Sequence, residues 1–213
     1  MLGYVYSPRV LAHDPPPPTL QIAGRDFTLG SANVAQAALT AQAHDLITRS
    51  ALDRVLVHIA AGPAPEEALL AVHTAEYLER LRAAGAGGPW DGEYAPVTAG
   101  TWGAARLTVG GVLAAVDTVL DGRVRRALVH ARPAGHHAEP DRAIASTYLN
   151  NVACGVEYAR TRGVERVAII DWDVHVANGA ERIFWDRADV LALSLHQQAV
   201  SYTHLTLPTN REV

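Results

Sequence analysis

The sequence predicts an α/β fold with a mainly parallel sheet, and two observations lead to this class. Short apolar runs alternate with longer segments of helical periodicity along most of the chain. Residues 167–170 (Val-Ala-Ile-Ile) are apolar at every position, which is typical of a strand buried on both faces of a parallel sheet. Strands that alternate with helices form βαβ units, in which the strands run parallel.

The N-terminal quarter of the chain predicts two strands on either side of a loop and a helix. Residues 2–6 and 54–59 are short apolar runs with strand character. The four prolines at 15–18 impose an extended loop, because proline restricts both its own backbone and that of its predecessor. An alanine-rich segment from Ser31 to Ser50 predicts a helix, with Ser31 as its N-cap.

Three helical segments follow. Pro65 and the acids after it are typical of a helix start, and this helix is predicted to run in two pieces to about Ala84. A glycine-rich break at 86–89 leads into a loop at 90–100. Residues 102–120 have long helical periodicity, and we expect the Gly110-Gly111 pair inside this helix to permit close packing.

The last third of the chain predicts further βαβ units. Asn150 to Arg162 is a helix candidate, and Gly163 after it is a C-cap signal. The remaining predicted elements are a buried strand at Arg126–His130, a polar loop at 131–147, the strand at 167–170, a short helix at Ala177–Trp185 and a strand at Val190–Leu195.

Composition excludes several classes of protein. The 213 residues carry 18 Lys+Arg and 22 Asp+Glu, a formal net charge of −4, and 49% of them are hydrophobic. These values exclude a disordered chain and argue against a nucleic-acid binder with a basic surface. The single cysteine, Cys154, excludes an internal disulfide and a multi-cysteine zinc site. The sequence has no long uninterrupted apolar run and no signal peptide, so we expect a cytoplasmic protein that does not engage a membrane.

Three polar residues directly follow the most apolar strand. Because strand side chains alternate between faces, Asp171, Asp173 and His175 are expected to share one side of the chain. They lie at the carboxyl end of the strand, which is where open α/β sheets bind ligands. Carboxylate and imidazole together suit zinc or a similar divalent ion. The alternative is a solvated loop with chance acids.

Adjacent histidines in a Gly/Pro-containing loop form a second candidate site. His136 and His137 are a natural acid/base pair, because small shifts move histidine pKa values across neutrality. Taken alone, such a pair is as often a polar turn. Asn150 is expected to cap the following helix, and Asn178 either orients a histidine or is a turn residue. Ser194 has a hydroxyl that could ligate an ion, whereas His196 reads as structural.

These residues together resemble the histone deacetylase and acetylpolyamine amidohydrolase family. Residues 132–138 are similar to the family's RPPGHHA motif, and residues 171–175 to its DxDxH metal strand. Further similarity lies at residues 148–151 (Tyr-Leu-Asn-Asn), 183–185 (Ile-Phe-Trp) and 194–196 (Ser-Leu-His), and more weakly at 67–77. The resemblance implies an arginase/deacetylase fold, a three-layer αβα arrangement around a mainly parallel sheet, here incomplete.

The resemblance also implies roles for individual residues. Asp173 and His175 would be two of three zinc ligands, and His136 and His137 would activate water and protonate the leaving amine. Asp171 would hydrogen-bond to His136, and Asn178 to His137. A potassium ion would be surrounded by the Ser194 hydroxyl and by the backbone carbonyls of Asp171, Asp173, His175 and Leu195.

The chain departs from the family pattern at several positions. Val176 and Ala177 stand where the family has His and Gly, and that glycine position could require a positive φ. Ala145 and Ser146 replace a Gly-aromatic pair, so an aromatic wall of the acyl-lysine tunnel would be lost at Ser146 while Ala145 still offers its carbonyl. Tyr94, with Glu93 beside it, occupies the place of an acidic residue that grips the substrate backbone.

Two further family residues, a third zinc-ligating aspartate and a transition-state tyrosine, lie downstream in the family and have no counterpart in this chain. Residues 201–213 match no family motif and contain no alanine, although alanine is frequent before them. We therefore divide the chain into residues 1–200, the N-terminal part of a deacetylase-like catalytic domain, and a tail at 201–213. We interpret this tail as translated sequencing-adapter read-through; an unrelated natural tail is the alternative.

The predicted function is that of a zinc-dependent hydrolase that removes acetyl or other acyl groups from lysine side chains or from small amines such as polyamines. The chain as written is expected to be inactive. Its predicted partners are an acetylated small amine or an acetyl-lysine peptide, with no nucleic acid and no membrane. The first alternative is a non-catalytic relative that binds acylated ligands or a protein partner. An arginase-like manganese hydrolase ranks lower, because Ala177 stands where it needs an aspartate.

Overall fold

A computed structural model of the chain describes residues 1–16, 19–28, 36–92 and 95–197. The predicted N-cap Ser31, the predicted substrate contacts Glu93 and Tyr94, and the tail at 201–213 lie outside the described residues.

The described residues contain strands and helices in alternation, much as the sequence predicts. The strands are β1 (Leu2–Val5), β2 (Thr19–Ile22), β3 (Arg25–Thr28), β4 (Leu56–Ile59), β5 (Ala127–Val129), β6 (Val167–Asp171) and β7 (Val190–Ser194). The α-helices are α1 (Ala37–Arg49), α2 (Glu66–Leu70), α3 (Ala75–Gly85), α4 (Thr101–Leu120), α5 (Asn151–Thr161) and α6 (Asn178–Phe184). Short 3-10 helices lie at Pro8–Ala12 and Ala51–Val55, and the second of these delays the strand predicted at 54–59 until Leu56.

Parallel pairing organises the main strands into two sheets. In the first, β1 lies between β4 and β5, so that Gly3 pairs with Val57 on one side and Ala127 on the other. In the second, β6 and β7 pair from Val167↔Val190 to Asp171↔Ser194. The prediction of a mainly parallel α/β fold is confirmed.

A short antiparallel hairpin, β2–β3, was not predicted from the sequence. Its two turn residues, Ala23 and Gly24, both have positive φ values, 51° and 76°. This is the backbone twist that a two-residue hairpin turn requires. A hairpin of four-residue strands leaves little apolar periodicity to detect.

Local capping explains where the helices begin and end. The helical segment predicted from Pro65 divides at residues 71–74, and the Thr74 hydroxyl caps α3 by accepting from the Tyr77 N–H at 3.2 Å. The Asn150 side chain caps α5 by accepting from the Ala153 N–H at 3.0 Å. Gly163 follows α5 with φ 89°. The two-piece helix, the Asn150 cap and the Gly163 stop are therefore confirmed.

Helix α4 lies at the centre of the packing. It contacts α5, α3 and all three strands of the first sheet, and Val109 is completely buried. Its length and a mean hydropathy of 1.4 over 18 residues would also allow it to cross a membrane. The core helix of a soluble protein has the same length and hydropathy, so these two properties do not distinguish the two cases. Because 56% of that window is buried inside the fold, we assign α4 to the core.

Strand β6 of the second parallel sheet is buried on one face only, and most of β7 is exposed. Ile169 packs into the core, whereas its neighbour Ile170 is 55% exposed, and Leu191 of β7 is 56% exposed. An open groove of about 450 Å³ runs beside β6, with Val152 and Val156 of α5 among its lining residues. The expectation that residues 167–170 are buried on both faces is wrong for the described residues, because an apolar run does not say which elements cover it.

Candidate active site

The site begins where β6 ends. Asp171 is the last residue of β6, and its Oδ1 accepts from the Asp173 N–H at 2.9 Å. In the same way, Asp173 Oδ1 accepts from the His175 N–H at 2.8 Å. Asp171, Asp173 and His175 do lie close together, but the predicted strand alternation is wrong as the cause: the strand stops at Asp171, and turns closed by the Asp171 and Asp173 side chains position the following residues.

Asp173 and His175, the two predicted zinc ligands, contact each other through their side chains. Asp173 Oδ1 lies 2.8 Å from His175 Nδ1. Burial alone would raise the pKa of the Asp173 carboxyl, but hydrogen bonds from the His175 N–H and ring outweigh it and lower the pKa. Among the residues that the structure describes, no group of three or more His, Cys, Asp or Glu side chains is arranged to hold a metal ion.

His136 is paired with the carboxylate at the end of β6. Its Nδ1 lies 2.9 Å from Asp171 Oδ2, and both side chains are mostly buried. Burial alone would raise the pKa of Asp171, but hydrogen bonds from His136 and from the Asp173 N–H outweigh it, so that the pKa falls. Asp171 is therefore an ionised partner for the His136 ring at neutral pH.

His137 is paired with a neutral amide instead. Its Nδ1 lies 2.6 Å from Asn178 Oδ1, so Asn178 orients a histidine and is more than a turn residue. His137 is almost fully buried, and burial, together with the neighbouring His136, lowers its pKa to about 4. The His137 ring is therefore neutral at pH 7.

The histidine loop and the start of α6 approach very closely. The centroids of the His136 and His137 rings are 3.9 Å apart, and those of His137 and His175 are 5.9 Å apart. The Gly179 N–H donates to the His136 carbonyl at 3.0 Å. A Cβ at Gly179 would lie 2.4 Å from the Ala138 carbonyl oxygen, so only glycine allows this approach.

The residues predicted around a potassium ion lie where β6 meets β7. The Leu195 N–H donates to the Asp171 carbonyl at 2.8 Å. The Ser194 hydroxyl accepts from the Ala177 N–H at 3.2 Å and lies 2.9 Å from His196 Nδ1. Ala177 has φ −80°, so the positive φ considered for this position is not used, and alanine fits there.

Ala145 and Ser146, predicted to contact substrate, line a cavity of about 260 Å³. His13, Thr40 and Arg132 are among the other lining residues. Ala145 and Ser146 have φ values of 52° and 59°, in the left-handed region that disfavours residues with a Cβ. Their backbone is thus held in a strained conformation beside the cavity.

Replacing Ala145 with glycine should relieve this strain. We expect Ala145→Gly to raise the free energy of unfolding by about 1 kcal/mol, because glycine adopts this conformation without a Cβ clash. The control is Ala143→Gly in the same loop. Ala143 is buried and lies outside the left-handed region, so this variant should lower the free energy of unfolding by roughly 1 kcal/mol. Urea denaturation followed by circular dichroism measures both, and equal destabilisation of the two variants would contradict the expectation.

Two residues of the site were not predicted from the sequence. His73, nearly fully buried, donates from Nδ1 to the Glu139 carbonyl at 3.0 Å and accepts the Asn150 N–H on Nε2 at 3.0 Å. Glu139 is buried beside Asn178 and two arginines. The sequence does contain one indication of Glu139, because this acid directly follows the 132–138 motif. An acid that is buried at such a position needs charged or polar partners.

Comparison with known proteins decides the family. Residues 33–204, well over half of the chain, match the histone deacetylase domain. The chain belongs to the histone deacetylase family. This family includes the amidohydrolases and deacetylases named below, so the chain is deacetylase-like and hydrolase-like.

Curated relatives support the same assignment. The chain is 48% identical over 139 residues to a histone deacetylase-like amidohydrolase of Pseudomonas aeruginosa, covering 64% of this chain and 37% of the relative. It is 40% identical over 149 residues to histone deacetylase 8 of Arabidopsis thaliana, covering 66% and 38%. It is 34% identical over 163 residues to the human polyamine deacetylase HDAC10, covering 72% and 24%. The chain thus spans well under half the length of these relatives.

A solved structure confirms the fold. The HDA15 HD domain superimposes with a TM-score of 0.77 at 23% sequence identity, covering 92% of this chain and 54% of that one. At this identity the similarity supports the fold alone. The arginase/deacetylase arrangement, incomplete in this chain, is the fold that the sequence predicts.

Proposed function

We propose that this chain carries the histidine pairs and two metal ligands of a zinc-dependent amidohydrolase that removes acetyl groups from lysine side chains or small amines such as polyamines. The observation that carries this proposal is the arrangement of His136 and His137. Each ring has its Nδ1 bonded to a fixed acceptor, and the rings lie side by side next to His175. A merely structural pair would not need two separate acceptors.

The donor set at the end of β6 fits zinc. Carboxylate oxygen and imidazole nitrogen are zinc ligands, and Asp173 and His175 would hold the ion. A bound zinc would polarise the amide carbonyl and acidify a water molecule. Catalytic zinc sites have three protein ligands, and the described residues contain no group of three or more His, Cys, Asp or Glu side chains that could supply them. We therefore propose that the chain as given binds zinc weakly and has negligible activity.

The two histidines supply the proton transfers. With Nδ1 hydrogen-bonded to Asn178, neutral His137 has Nε2 as its proton acceptor. Asp171 orients His136 and stabilises the imidazolium that forms when His136 takes up a proton. A ring that accepts a proton from the attacking water can pass that same proton to the leaving amine, so the pair accounts for both transfers.

The substrate side favours a small acylated amine. Ser146 stands beside the cavity of about 260 Å³ where the family resemblance implies an aromatic wall, so the contact surface for an extended peptide is smaller.

For potassium, the support is the oxygen chemistry of the Ser194 hydroxyl and the nearby carbonyls, which suits a hard cation. The free, buried Cys154 is consistent with a cytoplasmic protein.

A non-catalytic role receives less support. It was motivated by the altered residues Val176, Ala177, Ala145 and Ser146. Ala177 has an ordinary backbone conformation, and the His136 and His137 pairs are complete.

Zinc titration by isothermal calorimetry tests the metal site. We expect the 213-residue chain to bind zinc weakly, and Asp173→Ala to weaken binding at least about tenfold, because one of two ligands is lost. The control, Asp141→Ala, removes an exposed acid away from the site and should leave the affinity unchanged. Equal affinity of the Asp173 and Asp141 variants would exclude a site at Asp173. Tight stoichiometric binding would overturn the proposed weakness.

Hydrolysis assays with an acetyl-lysine peptide and an acetylated polyamine, with zinc present, test the activity. We expect turnover close to background for this chain. Substantial turnover that His137→Ala removes would confirm the hydrolase and overturn the proposed inactivity. Substantial turnover that His137→Ala leaves intact would contradict the assigned role of His137.

A further inference from the structure

Glu139 is a buried carboxylate in the histidine loop, two residues after His137. Its side chain is only 5% exposed. A buried carboxylate is costly unless charged and polar partners surround it. The proposed proton transfers use no atom of Glu139, so its burial must be explained by its partners.

The Glu139 carboxylate has four hydrogen bonds from three side chains. Arg142 donates from Nε to Oε2 at 2.9 Å and from Nη2 to Oε1 at 3.1 Å, which is a two-point contact. Arg182 of α6 donates to Oε2 at 2.7 Å. The fourth donor is the Asn178 amide, whose Nδ2 lies 3.2 Å from Oε1. Two arginines thus donate to the carboxylate beside the residue that pairs with His137.

The contact with Glu139 decides which way the Asn178 amide points. The oxygen and nitrogen of an asparagine side chain are nearly equal in shape, so their hydrogen-bond partners determine the orientation. Glu139 Oε1 also accepts from Arg142, so the amide NH₂ faces Glu139 and Asn178 Oδ1 faces His137 Nδ1 at 2.6 Å. Since Oδ1 only accepts, His137 Nδ1 bears the proton, and Nε2 of the neutral ring is unprotonated.

We propose that Glu139 is a positioning residue that selects the Nδ1–H tautomer of His137 through the Asn178 amide. Without an acceptor at 139, the amide could turn and present its NH₂ to His137 Nδ1, which would favour the opposite tautomer. His137 would then have its proton on Nε2, where the proposed reaction needs an acceptor. This consequence rests on the proposed function, whereas the tautomer itself can be measured without metal or substrate.

The experiment is long-range ¹H–¹⁵N NMR of the histidine rings in the ¹⁵N-labelled 213-residue chain at pH 8, with His137 assigned from a His137→Asn variant. We expect the parent chain to show the Nδ1–H tautomer at His137. In Glu139→Gln, residue 139 can donate or accept, so the Nδ1–H fraction should fall to about one half. A parent chain with the Nε2–H tautomer, or a Glu139→Gln variant with an unchanged fraction, would overturn the proposal.

Two further variants separate positioning from loss of structure. The double variant Glu139→Gln/Asn178→Asp exchanges the carboxylate and the amide. His137 then faces a carboxylate, which only accepts, so the Nδ1–H tautomer should be restored. Arg182→Gln removes one ion pair but keeps the carboxylate and Arg142, so it should leave the tautomer unchanged. A double variant without restoration, or a shifted tautomer in Arg182→Gln, would count against the proposal. Failure of the zinc titration would contradict the proposed function without changing these spectra.

Discussion

Gly110→Ala is expected to lower the free energy of unfolding by about 3 kcal/mol, the upper part of the range for overpacking a tight contact. Gly110 lies in the middle of α4, where a Cβ would be 1.9 Å from the Gly62 carbonyl oxygen and 2.9 Å from the Ala64 nitrogen. Both are backbone atoms, so no side-chain rotation relieves the clash. Arg106 holds the same segment, since its backbone carbonyl accepts from the Ala64 N–H and its guanidinium donates to the Ala64 carbonyl.

The matched control lies seven residues earlier in the same helix. Gly103 is exposed and a Cβ there meets nothing within 4 Å, so Gly103→Ala should raise the free energy of unfolding by about 1 kcal/mol through helix propensity alone. Urea denaturation followed by circular dichroism measures both variants. If Gly110→Ala proves as stable as Gly103→Ala, the close approach of the 62–64 segment to α4 does not exist in solution.

The glycine pair shows what periodicity can predict. Helical spacing identifies residues 102–120 as a helix, and two glycines inside a helix indicate a close neighbour. Which neighbour it is, the backbone at 62–64, depends on a contact between residues far apart in the chain. The one-sided burial of β6 was missed for the same reason. Ile169 and Ile170 are equally apolar in the sequence, and only the tertiary arrangement buries one and exposes the other.

The candidate site was predictable to the extent that it is written in short motifs. The spacing of Asp171, Asp173 and His175 predicted that they lie close together. Turns closed by side chains position them, and not a continuing strand. The family resemblance implied the partners of His136 and His137. Glu139 and His73 act through contacts across 39 and 77 residues to Asn178 and Asn150, and no local pattern encodes such distances.

Acidification is expected to destabilise the fold between pH 6.5 and 4. Burial lowers the pKa of His73 to about 4, from 6.5 in the unfolded chain. Its two ring nitrogens explain the cost of protonation, since Nδ1 donates to Glu139 and Nε2 accepts the Asn150 N–H. A proton on Nε2 would face that N–H and break the bond that holds the start of α5. The neutral form is therefore the one that the folded state requires.

The sign of the effect follows from proton binding. Between pH 6.5 and 4 the unfolded chain binds a proton at His73 that the folded chain does not, so stability is fully present above pH 6.5 and falls as the pH falls. At about 1.4 kcal/mol per pH unit, His73 alone should cost about 2 kcal/mol at pH 5 relative to pH 7. His13, whose pKa burial and the nearby Arg132 lower to about 4, should contribute a similar amount.

Urea denaturation at pH 7 and pH 5 measures this loss. In His73→Gln the amide cannot take up a proton, so we expect lower stability at pH 7 but a drop to pH 5 that is smaller by about 2 kcal/mol. Tyr77→Phe is the matched control, because it loses a buried hydrogen bond, to the Tyr148 carbonyl at 2.6 Å, without removing a histidine. It should be destabilised equally at both pH values relative to the parent. An unchanged pH dependence in His73→Gln would mean that the pKa of His73 is the same in the folded and unfolded chain, which would contradict the bond from the Asn150 N–H to Nε2.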